Sequence, residues 1–178
     1  MDLSEFFLIH GKPVLKNKNS HVFSQGEAEQ HLYFVKSGLL KAFYVTEDGN
    51  ESIKSFITNG DVIGSLSAAL DKQNASFSLL CLTECELVSL PFDVLIAESR
   101  KDINLANTVI NLLMQFAMKK ERREYEFLCL SAEQRYLLLK QNSPHLLEQV
   151  KQHDLAKYLG VTAVGLSRIK KRVQAIKC

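Results

Sequence analysis

The side chains best suited to binding chemistry are lysines and arginines near the end of the chain. Residues 151–178 contain seven of them and one acid, Asp154, which gives this segment a net charge of +6. The whole chain carries a formal charge of +2, so the other 150 residues sum to −4. A basic segment on a slightly acidic body predicts a polyanionic partner, with a solvated charged tail as the alternative.

Within this segment, the spacing of apolar and small residues predicts two short helices joined by a turn. Gly160 can adopt the left-handed conformation that ends a helix, and Thr162 can cap the helix that follows. Apolar residues fall on one face of each helix, namely Leu155, Ala156 and Leu159 in the first and Leu166, Ile169 and Val173 in the second. This pattern indicates a helix-turn-helix, whose second helix enters the DNA major groove. Two helices of a bundle that does not bind DNA are the alternative.

The outer side of the second helix carries the residues that would meet DNA. Arg168 can reach guanine O6 and N7, whereas the other polar side chains of this face suit phosphates. Gly165 inside the helix costs up to ~1 kcal/mol relative to alanine, so we expect the helix to be soft until it docks. The predicted DNA-binding residues are Thr162, Ala163, Val164, Ser167, Arg168, Lys170, Lys171 and Arg172.

The region between about residues 14 and 90 is predicted to form short β-strands. Segments rich in aromatic and branched residues occupy 31–38, 39–57 and 75–90, and turn residues separate them. Asp48-Gly49 offers the positive φ angles that a tight hairpin requires. Many short strands at this spacing favour a small antiparallel sandwich or barrel over a parallel sheet.

Helices are predicted from Pro91 onwards, and the longest spans residues 102–128, which contain no glycine or proline. One apolar stripe has the 4-3-4 spacing of a coiled-coil seam and is the predicted dimer interface: Leu105, Val109, Leu112 and Phe116. A second stripe lies beside it, formed by Ala106, Ile110, Leu113 and Ala117. Two stripes need two covering surfaces, which we expect to be the β domain and a second copy of the chain. Burial within a monomer is the alternative. Ser131 is a plausible cap for a further helix.

Several classes of site and function are disfavoured. No apolar run approaches the ~20 residues of a membrane span, and the N-terminus makes a poor signal peptide, so a cytoplasmic protein without membrane contact is expected. Cys81 and Cys85 are interpreted as buried free thiols, and the scattered histidines support no metal site. No phosphate loop, Ser/His/Asp arrangement or H-E-x-x-H helix is present, so an enzyme is not expected. The charges of residues 119–126 alternate in sign, which predicts a solvated helix face.

Three stretches together resemble the CRP/FNR family of bacterial transcription regulators: GLLKAFYVTEDGNES (38–52), GDVIGSL (60–66) and YLGVTAVGLSRIKK (158–171). The resemblance implies an α+β fold with an antiparallel β-roll or jelly-roll sensor domain (1–98), a dimerisation helix (99–130) and a helix-turn-helix domain (131–178). The partners it implies are double-stranded DNA, a second copy of the chain and RNA polymerase.

The effector pocket departs from the family pattern for cyclic-nucleotide binders. Ser65 stands where they have a glutamate that holds the ribose, and Ala75 stands where they have the arginine that neutralises the phosphate. A buried phosphate without its cation is costly, so we expect cyclic AMP not to bind. A pocket for an unidentified small effector, or a core of hydroxyl-to-backbone bonds, would involve Gly64, Ser65, Leu66, Ser67, Asn74, Ala75 and Ser76. The cysteine cluster of the iron–sulfur members has no counterpart before Cys81, and haem ligation has no support.

The DNA-binding end also departs from the family. Val164 replaces a glutamate that commonly contacts a base, and a valine has no acceptor for cytosine N4 but can touch a thymine methyl. The sequence ends at Cys178, where the family continues into a β-hairpin wing, and its β domain is expected to begin too early for the usual N-terminal helix. A homodimeric, sequence-specific regulator is the first hypothesis. The second is a ligand-sensing or protein-interaction module that has lost productive DNA binding. Effector, operator and the sign of regulation are left open.

Overall fold

The computed structural model describes residues 2–175, which form eight strands and eight helices in an α+β arrangement. In chain order these are α1 (Leu3–His10), β1 (Lys12–Lys16), β2 (His21–Phe23), β3 (His31–Ser37), β4 (Leu40–Val45), β5 (Glu51–Ile57), β6 (Val62–Ile63), α2 (Leu66–Asp71), β7 (Ser78–Cys81), β8 (Cys85–Pro91), α3 (Phe92–Ser99), α4 (Ile103–Cys129), α5 (Ala132–Asn142), α6 (Pro144–Gln149), α7 (Gln152–Leu159) and α8 (Ala163–Ala175). The described part of the chain contains no helix that is long and apolar enough to cross a membrane.

The strands form two four-stranded antiparallel sheets, ordered β1-β8-β3-β6 and β2-β7-β4-β5. The chain passes from one sheet to the other between β7 and β8, so these consecutive strands do not pair with each other. A single apolar cluster draws residues from both sheets, including Val35 and Leu87 from the first and Leu40 and Leu79 from the second. The predicted antiparallel β-roll is therefore confirmed, because the alternating apolar residues of both sheets share one core.

The hairpin predicted at Asp48-Gly49 joins β4 to β5. Gly49 has a φ of 77°, and the Thr46 amide donates to the Asn50 carbonyl at 3.0 Å across the turn. The glycine supplies the positive φ that a side chain would resist, so the local sequence determines this connection.

Three parts of the N-terminal region differ from expectation. The prediction that the β domain leaves no room for an N-terminal helix is wrong, because α1 is capped by the Asp2 carboxylate and buries Phe6 and Phe7. The region expected to be all β contains α2, a single short helix between β6 and β7. Pro91 is the last residue of β8 and the N-cap of α3, and it does not lie inside the first helical turn.

The chain divides into two compact units within α4, between Met114 and Gln115. The second unit contains the remainder of α4 and helices α5 to α8. Ser131 caps α5 as predicted, and it does so through a capping box with Gln134. The reciprocal bonds satisfy two backbone donors at the start of the helix, which fixes where α5 begins.

The assignment of the dimer interface on α4 is wrong for three of its four residues. Leu105, Val109 and Leu112 are buried within a single chain, with 3%, 5% and 7% of their surfaces exposed, and Phe116 is half-buried. The apolar residues of α4 that remain exposed include Ile103, Ile110, Met114, Met118 and Leu128. Spacing identifies an apolar stripe but does not show which surface packs against it. Here the stripe with coiled-coil spacing packs mainly against other residues of the same chain.

Candidate nucleic-acid interface

The turn between α7 and α8 depends on Gly160. This residue ends α7 with φ 69° and ψ 35°, and the Val161 amide donates to the Ala156 carbonyl at 3.0 Å. A Cβ atom at Gly160 would lie only 2.8 Å from Cζ of Phe127, on α4. Glycine is therefore required both for the left-handed conformation and for the close approach of an aromatic ring.

The start of α8 is capped as the sequence predicted. The Thr162 hydroxyl accepts a hydrogen bond from the Gly165 amide at 3.1 Å. A Cβ atom at Gly165 would lie 3.3 Å from that same hydroxyl oxygen. Gly165 was expected only to soften the helix, but it also leaves room for the cap, so its intrinsic cost is partly offset.

The inner faces of α7 and α8 are buried. All six residues predicted to line them are at most 5% exposed: Leu155, Ala156, Leu159, Leu166, Ile169 and Val173. The two helices, the turn and the buried faces that the spacing predicted for a helix-turn-helix are confirmed. With its inner side fully packed, α8 has only its outer side available for a partner.

The outer side of α8 presents five of the eight predicted DNA-binding residues in exposed positions: Ala163, Val164, Ser167, Arg168 and Lys171. Arg168 and Lys171 make no hydrogen bond or ion pair with any residue in 2–175. Their charges are therefore available to a ligand without the loss of an internal contact. Thr162 is also exposed, but its hydroxyl is occupied by the cap.

The other two predicted DNA-binding residues, Lys170 and Arg172, contact other side chains at the protein surface. Lys170 Nζ donates to Gln152 Oε1 at 2.6 Å, which ties α8 to the start of α7. Arg172 pairs with Glu133 of α5, with Nε and Nη2 at 2.8 Å and 2.7 Å from Oε2. The expectation that both side chains are free for phosphates needs correction, because each would first have to leave an existing partner.

Sequence reasoning missed an aromatic–guanidinium cluster that holds α4, α5 and α7 together. The Phe127 ring lies between two guanidinium groups, with Cζ of Arg123 and Cζ of Arg135 at 4.6 Å and 4.7 Å from its centroid. Arg123 also stacks on Tyr158 at 4.0 Å and donates through Nη2 to the Tyr158 carbonyl. Arg123 was expected on a solvated helix face, and its partial burial corrects that expectation. Its spacing of four residues from Phe127 was the available signal.

Arg135 supplies further hydrogen bonds to this cluster. Its Nη1 donates to the Leu130 carbonyl at 2.6 Å, and its Nη2 donates to the Leu159 carbonyl at 3.0 Å. One guanidinium thus satisfies backbone acceptors at the end of α7 and just beyond the end of α4. Cationic donors are favourable at helix C-termini, where carbonyls lack partners within the helix.

Burial changes the protonation chemistry of the cluster. Desolvation lowers the pKa of the Arg123 guanidinium and raises the pKa of the Tyr158 phenol. An arginine stays charged across the physiological range even when its pKa is lowered, so the cluster keeps a partly buried positive charge. The aromatic faces of Phe127 and Tyr158 compensate part of the lost hydration.

The predicted effector-pocket residues fall into two groups in the β domain. The first surrounds the start of α2, where Gly64 and Ser65 are buried, Leu66 and Ser67 are half-buried, and the Ser65 and Ser67 hydroxyls lie 3.3 Å apart. The second lies between α2 and β7, where Asn74 and Ser76 are exposed and Ala75 is buried. No hydrogen bond joins the two groups within residues 2–175.

Ala75 occupies an apolar environment. It is 2% exposed and belongs to the core cluster that includes Phe23 and Phe77, whose rings meet edge to face with centroids 5.3 Å apart. Lys72 ends α2 in the left-handed conformation and is exposed. The position at which the family's nucleotide binders carry arginine is thus a buried alanine of the apolar core.

The two thiols in this domain are free and buried, as interpreted from the sequence. Burial raises the pKa of the Cys81 thiol to about 12, so it stays protonated at neutral pH. A protonated buried thiol is a poor metal ligand and a poor nucleophile. Cys129 is exposed, and Cys178 lies outside the described residues.

Comparison with known proteins gives this architecture a family. Residues 15–102 match the family described as the cyclic nucleotide-binding domain. Over 177 residues the chain is 30% identical to the fumarate and nitrate reduction regulatory protein of Yersinia pestis, with 92% of this chain and 68% of that protein covered. The chain belongs to the CRP/FNR family of transcription regulators.

Further matches extend this CRP/FNR assignment. The anaerobic regulatory protein of Aggregatibacter actinomycetemcomitans is 28% identical, with 93% of this chain and 67% of that protein covered, so the chain spans about two thirds of its relatives' length. The solved structure of FixK2 from Bradyrhizobium japonicum superposes with a TM-score of 0.80 at 16% identity, covering 94% of this chain and 86% of that one. This likeness shows the shared fold. The relatives are transcription regulators and not enzymes, and membership implies DNA binding and dimerisation in general.

The contact between Gly160 and Phe127 predicts strong energetic coupling. Gly160→Ala should destabilise the protein by about 1–2 kcal/mol for the left-handed backbone, with a further cost for displacing the Phe127 ring. In a Phe127→Ala background, the same substitution should show only the backbone cost. Urea unfolding of the four proteins, followed by circular dichroism, measures the coupling. If Gly160→Ala lowers the free energy of unfolding equally in wild type and in Phe127→Ala, the predicted contact is wrong.

The environment of Ala75 generates a ligand prediction. Isothermal titration of the full chain with cyclic AMP should show no saturable heat, because no cation stands at this position to neutralise a buried phosphate. Saturation with a low-micromolar Kd would show that other residues supply the missing charge, and the prediction would then be wrong.

Proposed function

We propose that this regulator acts as a homodimer that binds a two-fold symmetric DNA site, with α8 of each copy in the major groove. The carrying observation is the outer face of α8, where Arg168 and Lys171 are exposed and have no partner among the described residues. The inner face of the same helix is completely buried. A helix that packs against the protein on one side and exposes cations on the other is suited to binding in the major groove.

The residues of α8 have different proposed roles. Arg168 contacts guanine O6 and N7, because its planar fork matches both acceptors. Ser167 and Lys171 contact phosphates and set the orientation of the helix. Lys170 and Arg172 contribute to phosphate binding only after they exchange Gln152 and Glu133 for DNA, so their net contribution is smaller.

The exposed apolar face of α4 is the proposed dimer interface. Ile103, Ile110 and Met114 lie on one side of the helix, and each exposes more than half of its surface. The neighbouring polar side, about 100° around the helix axis, carries Asn104, Asn111 and Gln115, all of them exposed. A two-fold pair of α4 helices would bury the first set and leave the second in water. The two recognition helices should then meet half-sites about 34 Å apart.

The remaining partners follow from the family. RNA polymerase is the proposed protein partner, since a transcription regulator changes transcription through that enzyme, and the cytoplasm is the proposed location. At the start of α2 the buried Ser65 hydroxyl lies 3.3 Å from the hydroxyl of the half-buried Ser67. An effector without a phosphate anchor, if one binds, would use these hydroxyls.

The dimer interface predicts a charge-sensitive oligomeric state. Ile110→Glu places two carboxylates near the two-fold axis and should raise the dimer dissociation constant at least roughly 100-fold. Asn111→Glu adds the same charge to the polar side of α4 and should leave the constant unchanged. Sedimentation equilibrium of wild type and both variants decides the matter. The interface is wrong if Ile110→Glu dimerises as tightly as wild type.

The roles of Arg168 and Lys171 can be separated on DNA. Arg168→Ala should cost about 1–3 kcal/mol at one base-pair position and relax the preference there. Lys171→Ala should weaken all duplexes alike and reduce the slope of log affinity against log salt by about one. Duplexes selected from a random library and their scrambled versions, titrated at several salt concentrations, give both quantities. Weak binding that ignores sequence would favour the alternative function, a protein-interaction module.

A further inference from the structure

The exposure of Val164 sets it apart from the other branched apolar residues of α8. Leu166, Ile169 and Val173 are buried, but Val164 leaves 62% of its surface exposed in the first turn of the helix. Val164 and Arg168 are four residues apart, so their side chains share one line along the outer face. No acidic residue lies in the first turn of α8. The face proposed to enter the groove therefore begins with an aliphatic side chain and continues with a guanidinium.

The chemistry of base edges limits what Val164 can contact. In the major groove, guanine presents two acceptors, cytosine a donor, and adenine one acceptor and one donor. An isopropyl group against any of these would remove a polar atom from water without replacing its hydrogen bond, which is unfavourable. Thymine alone presents a C5-methyl group, and apolar contact with that methyl is favourable.

We propose that Val164 determines specificity by packing against a thymine methyl in each DNA half-site. This inference rests on the proposed function, in which α8 lies in the major groove. Four residues of helix rise about 6 Å, and successive bases on a strand are about 3.4 Å apart. The thymine therefore lies one or two base pairs from the guanine that Arg168 contacts. The half-site preferred by this protein contains a T·A pair where a glutamate at position 164 would favour C·G.

Replacing thymine with deoxyuridine tests the proposal, because it removes only the methyl group. Duplexes are first selected from a random library by the protein, and each thymine of the half-sites is then replaced in turn. Wild type should lose about three- to tenfold in affinity at one thymine, measured by fluorescence anisotropy. Val164→Ala should bind the thymine duplex as weakly as wild type binds the deoxyuridine duplex, and should show no further loss with deoxyuridine.

The matched control is Lys171→Ala, which should weaken both duplexes and keep the wild-type ratio between them. Val164 is exposed, so its truncation leaves the packed side of α8 intact. The protein could bind selected sequences while deoxyuridine lowers the affinity of wild type and Val164→Ala by the same factor. That result would overturn this inference but would be consistent with the proposed function. A chain that selects no sequence at all would overturn both.

Discussion

The approach of the Phe127 ring to the Gly160 backbone is the contact on which the geometry of the DNA-binding unit depends. A side chain at position 160 would overlap the ring, with a Cβ atom 2.8 Å from Cζ. The same residue also has to take a left-handed conformation for α7 to end and α8 to begin. One glycine thus shapes the helix-turn-helix and allows it to rest on the end of α4. Two requirements on one position explain why no other residue type suits it.

The two arginines around Phe127 make this contact specific. Arg135 donates to carbonyls near the ends of α4 and α7, and Arg123 stacks between Phe127 and Tyr158. Hydrogen bonds fix direction as well as distance, which apolar packing alone does not. The cluster lies where the end of α4 meets α5 and α7. Planar guanidinium groups suit this position because they stack and donate at the same time.

The distribution of charge in α8 follows from its neighbours. Four cations lie between residues 168 and 172, but Lys170 and Arg172 are bonded to Gln152 and Glu133, from α7 and α5. Arg168 and Lys171 remain for a ligand. Only part of the charge of α8 is therefore available to a ligand. Net charge alone overstates the electrostatic attraction to DNA, because contacts already made inside the protein must be exchanged.

The sequence by itself determined the features that rest on neighbours within about four residues: the Asp48-Gly49 hairpin, the Ser131 and Thr162 caps, the Gly160 turn and the inner faces of α7 and α8. Together with the family resemblance it also predicted the antiparallel β domain. Tertiary structure alone decided which stripe of α4 is buried, that Ala75 lies among core rings, and that Arg123 leaves the solvent. It also decided the pairing of Arg172 with Glu133, 39 residues away. Periodicity specifies which residues share a face, but only the packed chain specifies what covers that face.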